Sequence, residues 1–290
     1  MASIKDLKSK IKSTKGTLKI TTAMKLVSAA KLSRAQQAIQ GSRPYANELQ
    51  DTIKTVSALV ENYTHPYLEE ATDNKRAIVL VISSDKGLCG GYNSTLAKKV
   101  KSFEKENTEL DTKYVFIGKK VFELVKAGVN AGEKYTFDKN DPTMNEIREI
   151  AEQLGKMFSN GEVGKVFVAY NIFHSAISFT SSVQQVLPMT MDQQEKDELS
   201  EKFPFDFKYE PNPEEIMDSL IPETYITSVW TCMLDAQASE HGSRMASMDS
   251  AANNCKDAIR SLTLKMNKLR QAAITTELIE VVSGAESLNG

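Results

Sequence analysis

The chain has 290 residues, 41% apolar and 26% charged, with a net charge of −2, a composition that excludes disordered and membrane-embedded classes. No run approaches the roughly eighteen apolar residues of a spanning helix. The lysine-rich first residues also lack the apolar block of a secretory signal, so an intracellular protein is expected.

The N-terminal segment reads as a helix. Ser3 is a plausible cap, and Ile4, Leu7, Ile11 and Leu18 fall on a heptad seam whose other slots are Thr14, Thr21 and Lys25. These are poor core residues, so a second register, Ile20, Ala23, Val27 and Ala30, is expected to take over. Ala29, Ala30, Ala35 and Ala38 would let a neighbouring helix come close. Gly41 and Pro44 predict a kink, after which Leu49, Ile53, Val56 and Val60 resume the pattern to about Asn62. Up to Arg34, nine Lys/Arg stand against Asp6, a net +8, so the remainder of the chain is acidic. Such a helix suits nucleic acid, an anionic membrane or an acidic protein surface, or is simply a solvated face. The lack of aromatic residues in this stretch speaks against base stacking.

Arg76 to Ile82 is apolar on both faces, as in a strand buried in a parallel sheet. A turn rich in glycine (Gly87, Gly90, Gly91) follows, and Asn93 is the expected cap of a helix carrying Leu96, Val100 and Phe103. Tyr114 to Ile117 reads as a strand and Val121 to Ala127 as a helix stopped by Gly128. Asp141-Pro142 opens a helix through Ile147, Ile150, Leu154 and Phe158, with Pro142 in its first turn. Val166 to Tyr170 and Ile177 to Leu187 are strands, antiparallel if the turn at His174 is tight. Strand and helix alternate, which predicts a doubly wound α/β body.

The glycine-rich turn invites a phosphate-binding reading, but it has neither the P-loop spacing nor Gly-x-Gly-x-x-Gly. His65, His174 and His241 are isolated, and Cys89, Cys232 and Cys255 are too scattered for a disulfide framework or a zinc site. The expectation is no catalytic constellation, no metal and no cofactor.

From Glu223 to Ser283 the chain holds no proline and one glycine, Gly242. A helix of that length measures roughly 90 Å, whereas a compact chain of this size has a radius of gyration near 19 Å, so part of the protein is expected to be a rod. Tyr225, Val229, Cys232 and Ala236 form one apolar stripe, and Cys255, Ile259, Leu262, Met266, Leu269 and Ala273 form another. Two long helices from opposite ends of the chain bury such seams most simply as an antiparallel coiled coil. The predicted organisation is therefore α/β plus coiled coil: helix 1–62, α/β body 74–210, and helix 213–290 pairing with the first.

Three separated motifs carry a resemblance. Ile11 to Leu32, Ser83 to Asn93 and Arg270 to Ala285 resemble, in the same order, the gamma subunit of F-type ATP synthases. The resemblance implies a non-catalytic central rotor shaft. It couples ion-driven rotation of the membrane c ring to ATP synthesis or hydrolysis in the alpha/beta hexamer. Alpha, beta, the epsilon subunit and the c ring are the implied partners, with no nucleic acid. By position, Arg270 and Gln271 are implied to contact a catalytic-subunit loop, with Thr275 and Glu277 nearby. Met24 and Arg244 match positions where the helices meet their surroundings. Lys86, Leu88 and Cys89 match the turn facing the acidic lever region of beta, and Phe207, Tyr209 and Glu210 match the foot on the c ring. The cysteine spacing is unlike the regulatory pair of the plastid form, so thiol switching is not expected. With no transit-type leader, the expected location is the cytoplasmic face of a bacterial inner membrane.

Overall fold

The computed structural model describes residues 3–59, 63–69, 74–137, 141–189 and 212–289. Val60, Asn62, Phe207, Tyr209 and Glu210 lie outside them. The elements run α1 (Ile4–Leu59), β1 (Arg76–Ile82), α2 (Tyr92–Glu106), β2 (Asp111–Ile117), α3 (Lys120–Val125), β3 (Asn130–Tyr135), α4 (Met144–Ser159), β4 (Lys165–Ser175), β5 (Ser178–Leu187) and, by our numbering, α5 (Pro213–Asn289). They form two compact units. One comprises Met1–Ser28 with Met245–Gly290, the other Ala29–Arg244.

In the larger unit a five-stranded sheet has the order β3-β2-β1-β4-β5. β1 is parallel to β2 and β4, β2 is parallel to β3, and β5 closes the edge antiparallel to β4. Ala77 through Ile82 are each exposed by 1% or less, because both faces of the sheet are covered. On one face Ile78, Leu80, Val115 and Val166 pack against Ile147, Ile150 and Leu154 of α4 and Tyr225, Val229 and Met233 of α5. On the other, Val79, Val81, Tyr114 and Phe116 meet Leu96 and Val100 of α2 and Val121 of α3. The body is doubly wound, as its alternating pattern predicts, and each such buried side chain contributes about 1.5–3 kcal/mol.

Several local expectations are corrected. Gly91 occupies the N-cap of α2, and the Asn93 amide instead binds back to Ser84 and Cys89. Pro142 precedes the helix it was expected to open. Thr143 caps α4 and exchanges hydrogen bonds with Glu146 in a capping box. The edge strand β3 has no counterpart in the sequence reading, since Asn-Ala-Gly-Glu-Lys-Tyr is polar and carries a glycine. β4 and β5 do pair antiparallel, with Ser175 opposite Ser178, so the tight turn is Ala176-Ile177 rather than His174.

The terminal helices differ from expectation chiefly in their seam. α1 runs as helix through Gly41 and Pro44. α5 starts at Pro213, where the second helix was expected to begin, and absorbs Pro222. Asn212 caps it, accepting from the Glu215 N–H at 2.8 Å, with proline in the first helical position where no N–H is needed. The predicted change of seam does not occur. Leu7, Thr21, Ser28, Leu32, Ala35 and Ile39 are buried, whereas Ile20 and Val27 are 62% and 59% exposed. One heptad register runs throughout. Thr21 tolerates the seam because its hydroxyl bonds to the carbonyls of Thr17 and Leu18 in its own helix. Lys25 reaches Asp249 across the pair at 2.7 Å.

Within each unit the two helices run antiparallel. Lys25 meets Asp249 in one, while Arg43 meets Asp235 and Ile53 and Val56 pack with Met217 and Ile221 in the other. Gly242 marks a close approach: a Cβ there would lie 2.8 Å from the Ala176 carbonyl oxygen of the β4–β5 turn.

Candidate interaction site

The segment after β1 is anchored from three sides. The Ser83 N–H and hydroxyl both donate to the Ile117 carbonyl. The Ser84 hydroxyl accepts from the Asn93 amide and donates to the Lys86 carbonyl, both at 2.8 Å. From α5, Ser243 donates to the Cys89 carbonyl at 2.5 Å, and the Arg244 guanidinium donates to the Lys86 carbonyl at 3.1 Å and the Gly87 carbonyl at 3.4 Å. Arg244 is in turn held by Glu240 at 2.6 Å. With its carbonyls turned to a guanidinium, the turn presents the wrong polarity for a phosphate cradle.

What the turn does present is Leu88. Its φ is +63°, a conformation costly for a branched side chain, and it is 63% exposed. Strain of this kind persists only where the surroundings impose it and marks functional segments often enough to be informative. Lys86 beside it is exposed, while Cys89 is buried. Burial pushes the Cys89 thiol up, and that of Cys232 to about 12, so neither is a ready nucleophile.

The second feature lies in the smaller unit. Continuing the Lys25–Asp249 register places Ile4 beside Arg270, so residues 271–289 of α5 extend past the start of α1. Ile274, Leu278, Ile279, Val281 and Val282 are there 49% to 69% exposed. Arg270, Gln271, Thr275 and Glu277 are exposed on the same stretch. Nearer the middle of this pair, Lys8, Lys12, Lys15 and Lys19 rim a groove floored by Ile11 and Met266. Part of the basic charge thus lies in one stripe along α1. Met24 is half-buried one turn before Ser28.

Of the residues singled out in sequence, then, the fold brings Lys86, Leu88, Cys89 and Arg244 together and strings Arg270, Gln271, Thr275 and Glu277 along one exposed helix end. Sequence reading passed over Ser243, whose hydroxyl holds the turn as closely as Arg244 does. A signal existed in Gly242, since a glycine inside a long helix commonly marks another backbone at close range.

The ATP synthase family profile matches residues 3–288. An ATP synthase gamma chain of an Anaeromyxobacter species is 40% identical, covering 99% of this chain and all of its own, and that of Bdellovibrio bacteriovorus is 39% identical over the full length of both. The chain belongs to the ATP synthase gamma-chain family. In fold, this gamma-family chain is similar to a chain from the Euglena gracilis mitochondrial ATP synthase, with a TM-score of 0.65 at 16% identity, covering 98% of this chain and 94% of that one. Among the described residues of the gamma-family chain, no helix is long and apolar enough to cross a membrane.

Proposed function

We propose that the chain is the central rotor shaft of an F-type ATP synthase, coupling ion-driven rotation of the c ring to ATP synthesis and hydrolysis in the alpha/beta hexamer while carrying out no chemistry itself. The observation that carries this reading is the end of α5, where Ile274, Leu278, Ile279, Val281 and Val282 stay exposed beyond the reach of α1. Apolar side chains at that density on a single helix call for a surrounding protein surface. A shaft end turning within a ring of catalytic subunits provides one.

The physical mechanism is differential contact. Two different helices side by side cannot present the same surface to three equivalent partners, so each partner meets a different face at each angle. A ligand shifts a conformational equilibrium only by its difference in affinity for the states, and an asymmetric shaft supplies that difference and redistributes it as it turns. The lysine stripe at Lys8, Lys12, Lys15 and Lys19 favours acidic partners, each exposed pair contributing about 1 kcal/mol or less.

In this reading Arg270, Gln271, Thr275 and Glu277 contact a catalytic-subunit loop. Met24 and Arg244 lie where the helices meet their surroundings, and Lys86, Leu88 and Cys89 form the turn that faces beta. Phe207, Tyr209 and Glu210 form the foot on the c ring, and epsilon binds the body. The Euglena chain was solved in an assembly with F1 and a c-ring, and the same placement is proposed here. The bacterial relatives support a location on the cytoplasmic face of the inner membrane.

Reconstitution tests the reading. Alpha and beta subunits mixed with this chain should gain cooperative ATP hydrolysis. Hydrolysis indifferent to the chain would overturn it.

A further inference from the structure

One carboxylate of the α/β body touches both terminal helices. Asp141, on the loop that leads into the Thr143 cap of α4, accepts at Oδ2 from Lys31 Nζ of α1 at 2.5 Å and at Oδ1 from His241 Nε2 of α5 at 3.2 Å. His241 is 5% exposed, and its Nδ1 has no hydrogen-bond partner among the described residues, so Asp141 satisfies the polar edge that it does have. The hydrogen bond from His241, followed by that from Lys31, holds the Asp141 carboxyl well below the usual carboxylate range. The group therefore stays ionised at any working pH.

The surrounding contacts give this arrangement its meaning. α5 is fastened to the body repeatedly: Ser239 donates to the Asn171 carbonyl, Gly242 abuts the Ala176 backbone, and Ser243 and Arg244 donate to the glycine-rich turn. Arg148 of α4 adds a two-pronged pair with Glu223, both bonds at 2.8 Å. For α1, Lys31 on Asp141 is one such fastening to the body, while Arg43 ties α1 to α5 through Asp235.

We propose that Asp141 is a positioning residue for torque transfer: it fixes α1 and α5 to the body at one point, so that the two helices turn with the body as one piece. The proposal rests on the rotor reading above. A charge-assisted contact suits this role because it has a fixed donor and acceptor geometry and resists sliding, whereas apolar seams allow small shear.

The test uses the whole complex carrying this chain in sealed vesicles, with ATP hydrolysis and ATP-driven ion pumping measured on the same preparation. With Asp141→Asn, hydrolysis should stay within about twofold of the parent while ions pumped per ATP fall about fivefold. Lys31→Met should reproduce the loss at the α1 contact, and the double variant should be no worse than Asp141→Asn, which already removes that contact together with the charge facing His241. Asp141→Glu, which keeps the charge, should recover part of the pumping. Pumping at the parental ratio in Asp141→Asn, or full additivity of the two substitutions, would overturn the proposal. If Asp141→Asn fails to assemble, Lys31→Met decides alone: parental pumping overturns the proposal and a fivefold loss upholds it. A parental chain that leaves hydrolysis unchanged in the first place sinks the rotor reading instead.

Discussion

Asp235 and Arg43 come from opposite ends of the chain and meet at 2.8 Å, with the Asp235 side chain 7% exposed and that of Arg43 46% exposed. Burial raises the Asp235 carboxyl above its ordinary value although Arg43 pulls it the other way, so desolvation outweighs the pairing. The consequence has a definite sign. A carboxyl whose folded pKa lies above its unfolded one binds protons more readily when folded, and its share of stability is lost as pH rises from the ordinary aspartate range through the folded value. Asp141 behaves oppositely: its contribution is present above the ordinary aspartate range and is lost as pH falls towards its depressed folded pKa. Asp235→Asn should therefore become more favourable relative to the parent as pH rises from the ordinary aspartate range towards 7. Urea unfolding of both chains across that range reads it, and a difference that moves the other way with pH would contradict the sign. The partner of neither aspartate was legible in sequence, because Asp141 and His241 are separated by 100 positions and Arg43 and Asp235 by 192. Lys86, Leu88 and Cys89 were legible as one unit because a single turn holds them.

At the scale of elements, the sequence carried the sheet better than the seam. A strand such as Ala77 to Ile82, apolar on both faces, has few alternatives. The α1 seam was ambiguous because two apolar registers overlap in it, one continued by Ile20, Ala23 and Val27, the other interrupted by Thr14, Thr21, Lys25 and Ser28. The structure keeps the interrupted one. A threonine that bonds to its own helix and a lysine that reaches an aspartate across the pair can sit in a seam, and apolar residues can face outward where another protein covers them. The two registers should therefore separate cleanly in experiment. Leu32→Ala, in the buried register at 4% exposure, should cost about 2–4 kcal/mol. Ile20→Gln with Val27→Gln should change stability by about 0.5 kcal/mol or less and yet weaken the gain in hydrolysis that the chain confers. Chemical unfolding of the two variants checks the first part, and an equal cost in both registers would show that the outer residues are packed within the chain. Strand β3 escaped the reading for a different reason. It is a polar edge whose pairing with β2 is decided by the rest of the sheet.

The whole molecule combines a doubly wound body, terminal helices that run antiparallel within each unit, and an apolar helix end left uncovered among the described residues. The family was legible from three short motifs, which lie in the basic first helix, in the turn fastened by Ser243 and Arg244, and in the exposed stretch from Arg270. Legibility stopped at the contacts made only on folding, and partner contacts are of that kind by nature. The most direct measurement of the central claim is rotation. With the alpha/beta hexamer fixed to a surface and a bead attached to the body of this chain, added ATP should turn the bead in a single direction. A bead that only diffuses, while the same preparation hydrolyses ATP at the full rate, would contradict a rotor.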